Sequence, residues 1–345
     1  MADLPPRLLL VVPERAGLRE TVARRLPGVP YALPADPVAA DRSAVEAMLL
    51  GAFPREEPRA DPAGLPRLRF VQRLFAGVDD LPFERFAPSV DIAGNIGGFA
   101  PFVAEHALAL ALACARCVLE GNAAVASGRS RPPPELRTLW HQTAVILGYG
   151  AIGRSLAQAL HALGAEVHGL GRTGAPAPGA DRMYSADQLL EALTGAALVV
   201  DARPLTARTA RTLGTREFAA MREDAIFVNV GRAGTVDDAA LFHHLQSHPR
   251  FRAGLDVWWA EDFAHGRLTS RFPFTSLPNF VGSPHWAGYA PPVPAFALAS
   301  ALDNLARFFA GDRPLHLVDR SEYAGVRPAT ELLLADPLQG ERADH

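Results

Sequence analysis

The chain has 345 residues, 49% hydrophobic and 21% charged, with a formal net charge of −3. That length suits about two domains of roughly 100–200 residues each, and the composition is ordinary for a globular protein. The small negative charge gives no electrostatic basis for binding nucleic acid or an anionic membrane surface. No apolar run approaches the roughly 18–20 residues needed to cross a bilayer. The start, Met-Ala-Asp-Leu-Pro-Pro-Arg, lacks the basic-then-apolar layout of a signal peptide, so the expected compartment is the cytoplasm. All 34 basic residues are arginine, which rules out a lysine Schiff base or lysine general base.

In chain order, Leu8–Val12 reads as a buried strand and Arg19–Leu26 as a helix. Leu68–Gln72 and Ser89–Ala93 are further strand candidates, and this alternation suggests a small parallel-sheet domain. Val103–Leu119 is an apolar, Ala-rich helical stretch, followed by a Ser/Arg/Pro loop over Ser127–Pro134. Cys114 and Cys117 form C-x-x-C within that helical stretch. Without thioredoxin-like surroundings or a second ligand pair, they read as packing residues.

Ala144–Leu147 is a strand that runs straight into Gly148-Tyr-Gly-Ala-Ile-Gly153 and then a helix over Arg154–Leu163. A lone G-x-G-x-x-G is a weak signal, but strand before and helix after are the context a dinucleotide needs. Gly148 permits the tight turn, Gly150 lets backbone approach a pyrophosphate, and Gly153 allows helix to pack on strand. The helix N-terminus offers unpaired N–H groups to the phosphates. The next strand, Glu166–Leu170, ends at Gly171, where an NAD binder carries Asp or Glu for the ribose 2′-OH. With no carboxylate there and Arg172 and Thr173 following, NADP(H) is favoured over NAD(H).

The rhythm continues with strands at Leu198–Asp201, Ala225–Asn229, Ala253–Val257 and Phe280–Gly282. Helices are expected over Ser185–Leu193, Thr215–Met221 and Asp237–Ser247. Another follows over Ala295–Phe309, after a break at Pro291, Pro292 and Pro294. Ser321–His345 is polar and without pattern. A dinucleotide motif in mid-chain implies a cofactor domain inserted into a discontinuous one. The expected division is 1–102 plus 290–345 for the substrate and 103–289 for the cofactor, with the C-terminal helix returning to the first domain.

Three residues sit just past strands of the second domain: Arg232, Glu261 and His285. In an open parallel sheet, ligands bind beyond the carboxyl ends of the strands. The residue types suit hydride transfer to a 2-oxo acid. Histidine can supply a proton to the developing alkoxide near neutral pH, and a carboxylate on the imidazole orients it. Arginine holds the substrate carboxylate and polarises the carbonyl with no protonation ambiguity. His243, His244 and His248 include an i, i+4 pair, but no third ligand is evident, so they read as a helix face rather than a metal site. His265 and Arg267 fit either a cleft or a solvated surface, while Phe99, Phe102 and Trp286 fit either a substrate pocket or a core.

The order of these motifs, over roughly residues 67–318, resembles the D-isomer-specific 2-hydroxyacid dehydrogenase family. The resemblance implies an α/β protein with a flavodoxin-like substrate domain and an inserted Rossmann-type cofactor domain, usually assembled as a homodimer. It places the catalytic arginine on Arg232, the glutamate on Glu261 and the acid/base histidine on His285. The substrate loop falls on Phe75-Ala-Gly-Val-Asp79, where the amides of Gly77 and Val78 would bind the carboxylate. A second loop falls on Asn95-Ile-Gly-Gly-Phe99, with Asn95 as a substrate contact, and leads to Val103-Ala-Glu-His106. Cofactor contacts fall on Gly148, Gly150, Ala151, Ile152 and Gly153, on Pro204 and Thr209, and on Asp256 near the carboxamide. The implied activity is reversible NAD(P)H-dependent reduction of a 2-oxo acid to a D-2-hydroxy acid. The chain departs from the family pattern at Ala233, Trp258, Trp259, Asp262 and Trp286, which bears on substrate range. The alternatives are a dinucleotide-sensing corepressor-like protein, or a phosphite-type dehydrogenase of the same family. Glu261 stands where a formate enzyme of the family normally has Gln.

Overall fold

The computed structural model describes residues 4–51, 61–133, 135–262 and 265–326. The described residues fall into two compact units, drawn from 1–99 with 290–321 and from 100–289 with 322–326.

The first unit is built on strands β1 (Leu8–Val11), β2 (Tyr31–Ala32), β3 (Ala47–Leu50), β4 (Phe70–Arg73) and β5 (Asp91–Ala93). They form one parallel sheet in the order β2-β1-β3-β4-β5, the flavodoxin-like arrangement. Every residue of β1, β3 and β4 is buried, as expected of a sheet covered on both faces. Helix α1 (Leu18–Arg25) and the C-terminal helix Val293–Ala310 pack on one face, where Leu18, Val22, Leu302 and Leu305 meet Leu8, Leu10, Leu49 and Phe70. Each such side chain contributes about 1.5–3 kcal/mol by leaving water.

Two of these strands were not predicted. β2 is only two residues long, and β3 is Ala-Met-Leu-Leu, a run of good helix formers. Placement at the centre of the sheet, between β1 and β4, overrides that local preference. The C-terminal helix starts at Val293, so Pro294 lies inside its first turn, where a missing N–H costs nothing.

The second unit opens with α2 (Ala100–Ala115) and α3 (Val118–Ala126). The single helix expected over Val103–Leu119 is broken at Cys117, which takes a left-handed φ of 51°. Among the described residues no single helix is long and apolar enough to cross a membrane. Cys114 and Cys117 are both buried and unbridged, and burial pushes the Cys114 thiol up to about 12, so it packs and does not react.

There follow β6 (Thr143–Leu147), α4 (Ala151–Ala162), β7 (Glu166–Leu170), β8 (Arg182–Tyr184), α5 (Leu189–Leu193) and β9 (Leu198–Asp201). Then come α6 (Thr215–Ala220), β10 (Ile226–Asn229), α7 (Asp238–Ser247), β11 (Arg252–Leu255), the hairpin β12 (Ala260–Asp262) with β13 (Arg267–Thr269), and β14 (Phe280–Gly282). Seven strands make a parallel sheet in the order β14-β11-β10-β9-β6-β7-β8. Order reverses between β6 and β9, so their carboxyl ends form the switch point at which α/β sheets bind ligands. Phe218, Phe227, Phe251, Phe274 and Phe280 form an aromatic core on the β10–β11–β14 side.

Candidate active site

β6 delivers the chain to the switch point, and its glycine turn has the form a dinucleotide diphosphate needs. Gly148 has φ +89°, and a Cβ there would lie 3.0 Å from the carbonyl carbon of Ala202 and the nitrogen of Arg203. A Cβ on Gly153 would lie 2.8 Å from the carbonyl oxygen of Gly148, whereas one on Gly150 would meet nothing within 4 Å. The first and third glycines therefore close the turn against the protein. The second leaves open space at the head of α4, whose first-turn amides lack partners within the helix. These residues fit a nicotinamide dinucleotide: Gly148–Gly153 would hold its diphosphate, and it would supply hydride chemistry.

The neighbouring loop Arg203–Thr209 follows β9. Thr209 Oγ1 donates to the Pro204 carbonyl at 2.6 Å and accepts from the Thr206 amide at 2.8 Å, so this hydroxyl shapes the loop. Arg203 was not singled out in the sequence. It is 7% exposed and donates to both oxygens of Asp201, Nε to Oδ1 at 2.9 Å and Nη2 to Oδ2 at 2.7 Å. The alternation Asp-Ala-Arg at a strand end was the only available signal. Thr235 Oγ1 lies 2.9 Å from Asp201 Oδ2 and 2.8 Å from the Arg232 carbonyl oxygen. The cofactor loop and the arginine loop thus share one buried carboxylate. Gly231 makes the same link sterically, because a Cβ there would stand 2.4 Å from the Arg203 carbonyl oxygen. Arg232 itself is half-buried just beyond β10, and its Nη1 donates to the Gly231 carbonyl at 2.9 Å.

Glu261 and His285 are brought together. Their side chains are 6% and 25% exposed, and His285 Nδ1 lies 2.9 Å from Glu261 Oε1. The same oxygen accepts the Trp258 amide at 2.9 Å, so the carboxylate is fixed before it orients the ring. His285 has a φ of 59°, a left-handed conformation uncommon for a non-glycine residue.

Asp256, expected beside the carboxamide, anchors the loop that carries His285. It is 1% exposed. Oδ1 accepts from Ser283 Oγ at 2.6 Å and from the Trp286 amide at 2.8 Å, and Oδ2 accepts from the Ala287 amide at 2.9 Å. His106 Nε2, from α2, lies 2.8 Å from Ser283 Oγ and 3.3 Å from Asp256 Oδ1. Burial works against ionisation of Asp256, but the hydrogen bonds from His106, Ser283, Ala287 and Trp286 outweigh it and hold the carboxyl below its ordinary range.

Two of the unusual tryptophans, Trp258 and Trp259, pack and brace. Trp258 Nε1 donates to the Ser283 carbonyl at 2.9 Å, and Trp259 Nε1 to the Val236 carbonyl at 3.0 Å while its ring stacks on Phe274. Trp286 is 61% exposed. His265 and Arg267 both pair with Asp262 across the β12–β13 turn and are otherwise largely exposed. No group of His, Cys, Asp and Glu among the described residues could hold a metal.

In the first unit, Gly77 and Val78 lie in the loop that follows β4. Arg73 shapes that loop: it is 2% exposed, its Nη2 reaches both oxygens of Asp80 at 3.0 Å, and it also donates to the Gly51 carbonyl. Asn95 is the residue expected as a substrate contact. It is 2% exposed, and its amide donates to the carbonyls of Leu74 at 2.9 Å and Ala297 at 2.8 Å. Both side-chain protons hold the loop in place.

Comparison with known proteins agrees with this arrangement. Residues 108–287 match the family model described as D-isomer specific 2-hydroxyacid dehydrogenase, NAD binding domain. Glyoxylate/hydroxypyruvate reductase B of Klebsiella pneumoniae is 33% identical over 251 residues, covering 70% of this chain and 75% of the relative. A Pyrobaculum aerophilum crystal structure provisionally described as a formate dehydrogenase is 32% identical with a TM-score of 0.77, covering 92% of this chain and 99% of that one. A D-isomer specific 2-hydroxyacid dehydrogenase from Xanthobacter autotrophicus Py2, in complex with NADPH and MES, is 25% identical with a TM-score of 0.75, covering 93% and 100%. The chain belongs to the D-isomer specific 2-hydroxyacid dehydrogenase family, with a flavodoxin-like domain and an inserted Rossmann-type domain for a nicotinamide cofactor.

Proposed function

We propose that this protein reduces a small 2-oxo acid, of the glyoxylate or hydroxypyruvate kind, to the D-2-hydroxy acid, reversibly and with NADPH preferred. The observation that carries the reading is the His285–Glu261 pair at 2.9 Å, just beyond β14. When bound, the nicotinamide supplies a hydride to the carbonyl carbon. Negative charge then grows on the carbonyl oxygen, and His285 delivers a proton to it from Nε2, since Nδ1 is committed to Glu261. Glu261 orients the ring through the 2.9 Å contact to Nδ1. Arg232 binds the substrate carboxylate and polarises the carbonyl, and the amides of Gly77 and Val78 are further carboxylate donors.

Gly148, Gly150, Ala151, Ile152 and Gly153 would cradle the diphosphate, with Pro204, Thr209 and Asp256 shaping the rest of the cofactor site. Arg172 and Thr173 would take the 2′-phosphate, which supports NADP(H) over NAD(H). The same reading takes the enzyme as a cytoplasmic homodimer. An intact acid/base pair weighs against a purely sensing role.

The test follows oxidation of NADPH and NADH at 340 nm with glyoxylate, hydroxypyruvate, phenylpyruvate and, in the reverse direction, formate and phosphite. Turnover with an oxo acid is expected, and His285→Gln should lower kcat by about 10²–10⁴-fold, the usual worth of a general acid. Near-wild-type turnover of that variant would overturn the mechanism.

A further inference from the structure

Gly171 leaves the end of β7 without the carboxylate that an NAD site uses, yet a carboxylate is present there. It comes from Glu322, far along the chain. Its Oε1 lies 3.4 Å from Arg172 Nη1 and 3.9 Å from Arg208 Nε. Its main-chain carbonyl accepts from the Ala207 amide at 2.7 Å, which ties Glu322 to the loop after β9. The Glu322 side chain is 18% exposed, whereas Arg172 and Arg208 are 80% and 75% exposed. The acid is held while the two guanidiniums remain accessible. β7 and β9 flank β6 in the sheet, so the two arginines come from either side of the strand that carries the glycine turn.

We infer that Glu322 is a specificity-determining residue for the cofactor. Its carboxylate occupies the Arg172–Arg208 pair that a 2′-phosphate would need, and a 2′-phosphate must displace it to bind. The inference rests on Arg172 marking the 2′-phosphate position. A phosphate monoester carries about −1.5 to −2 charges near neutral pH, so an adjacent carboxylate repels it while competing for the same donors. A ribose 2′-OH is uncharged and accepts the carboxylate as a neighbour. Glu322 therefore narrows the preference for NADP(H) set by Arg172 and leaves affinity for NAD(H) little affected.

The test is binding, not turnover. Full-length wild type, Glu322→Gln, Arg172→Ala and the double variant are titrated calorimetrically with adenosine 2′,5′-bisphosphate and with 5′-AMP, at low and physiological salt. Glu322→Gln should tighten the bisphosphate by about three- to tenfold, as expected for an exposed charge contact, and leave 5′-AMP unchanged. The gain should shrink at higher salt and be smaller in the Arg172→Ala background, where only Arg208 is left to compete for. If Glu322→Gln leaves the bisphosphate unchanged, or tightens both ligands equally, while Arg172→Ala weakens the bisphosphate, the role of Glu322 is refuted and the 2′-phosphate site stands. If Arg172→Ala leaves bisphosphate binding unchanged, the 2′-phosphate reading itself falls.

Discussion

Two glycines on neighbouring loops should respond to alanine in opposite ways. In Gly231→Ala the new methyl would meet the Arg203 carbonyl oxygen at 2.4 Å, the Arg203 nitrogen at 2.9 Å and the Ala202 carbonyl carbon at 3.0 Å. All three are main-chain atoms, and Arg203 is locked to Asp201 by two hydrogen bonds, so no rotamer change relieves the overlap. Overpacking of this kind costs typically about 1–3 kcal/mol, and rigid neighbours put the expectation near the upper end. At 1.4 kcal/mol per decade, about 3 kcal/mol is a loss of roughly 150-fold in the folding constant. In Gly150→Ala the methyl meets nothing within 4 Å and intrudes on the space for a diphosphate. That variant should fold as well as wild type and bind the dinucleotide at least about tenfold more weakly, a loss of about 1.4 kcal/mol. Urea unfolding monitored by tryptophan fluorescence measures the first quantity, and cofactor titration of the folded proteins the second. If Gly150→Ala lost as much stability as Gly231→Ala, or bound cofactor normally, the contrast between a closed position at Gly231 and an open one at Gly150 would be wrong.

Other consequences follow from buried groups. Asp256→Asn replaces an acceptor with a donor facing the Trp286 or Ala287 amide. It should cost about 1–3 kcal/mol for the unsatisfied group and lower kcat by roughly 10–100-fold through a displaced His285. Thermal melting and steady-state turnover report the two effects, and a variant with unchanged kcat would show that the loop is held by other means. His244 packs among Phe218, Phe251 and His248, and its Nε2 is buried without a hydrogen-bond partner among the described residues. Burial, with the neighbouring His248, depresses it from 6.5 to about 4. The unfolded chain therefore takes up the proton first, and stability should decline as pH falls from about 6.5 towards 4. The full shift would be worth about 3 kcal/mol at 1.36 kcal/mol per unit, and partial exposure of the ring reduces that to roughly half. His244→Phe should flatten this part of the stability-pH curve measured by chemical denaturation, and an unchanged slope would exclude His244 as its source.

Much of the fold was legible because its signals are local. Glu166–Leu170, Leu198–Asp201 and Phe280–Gly282 were read as strands with the bounds they have in the structure. Short apolar runs bounded by turns are what a doubly covered parallel sheet requires. The strands that escaped notice are those whose composition argues otherwise (Ala47–Leu50) or whose two- or three-residue length carries no pattern (Tyr31–Ala32, Arg182–Tyr184, Ala260–Asp262 and Arg267–Thr269). The polar tail Ser321–His345 was read as patternless. Its residues 327–345 lie outside the described structure, while Glu322 pairs with Arg172 at the end of β7.

The sequence by itself determined the glycine turn, the order of Arg232, Glu261 and His285 beyond successive strands, and the missing acid at Gly171. Each is a statement about residue type at short spacing. Only the tertiary structure decided which polar groups are already spent. Asn95 and Thr209 read as ligand contacts in the sequence; in the structure the Asn95 amide donates to the carbonyls of Leu74 and Ala297, the Thr209 hydroxyl to that of Pro204, and Asp256 accepts from the His285 loop. Arg203 and Glu322 carried no motif, yet one buries its charge against Asp201 and the other meets Arg172 from a distant part of the chain. A hydrogen bond or ion pair depends on where the chain returns in space, and spacing along the sequence does not record that.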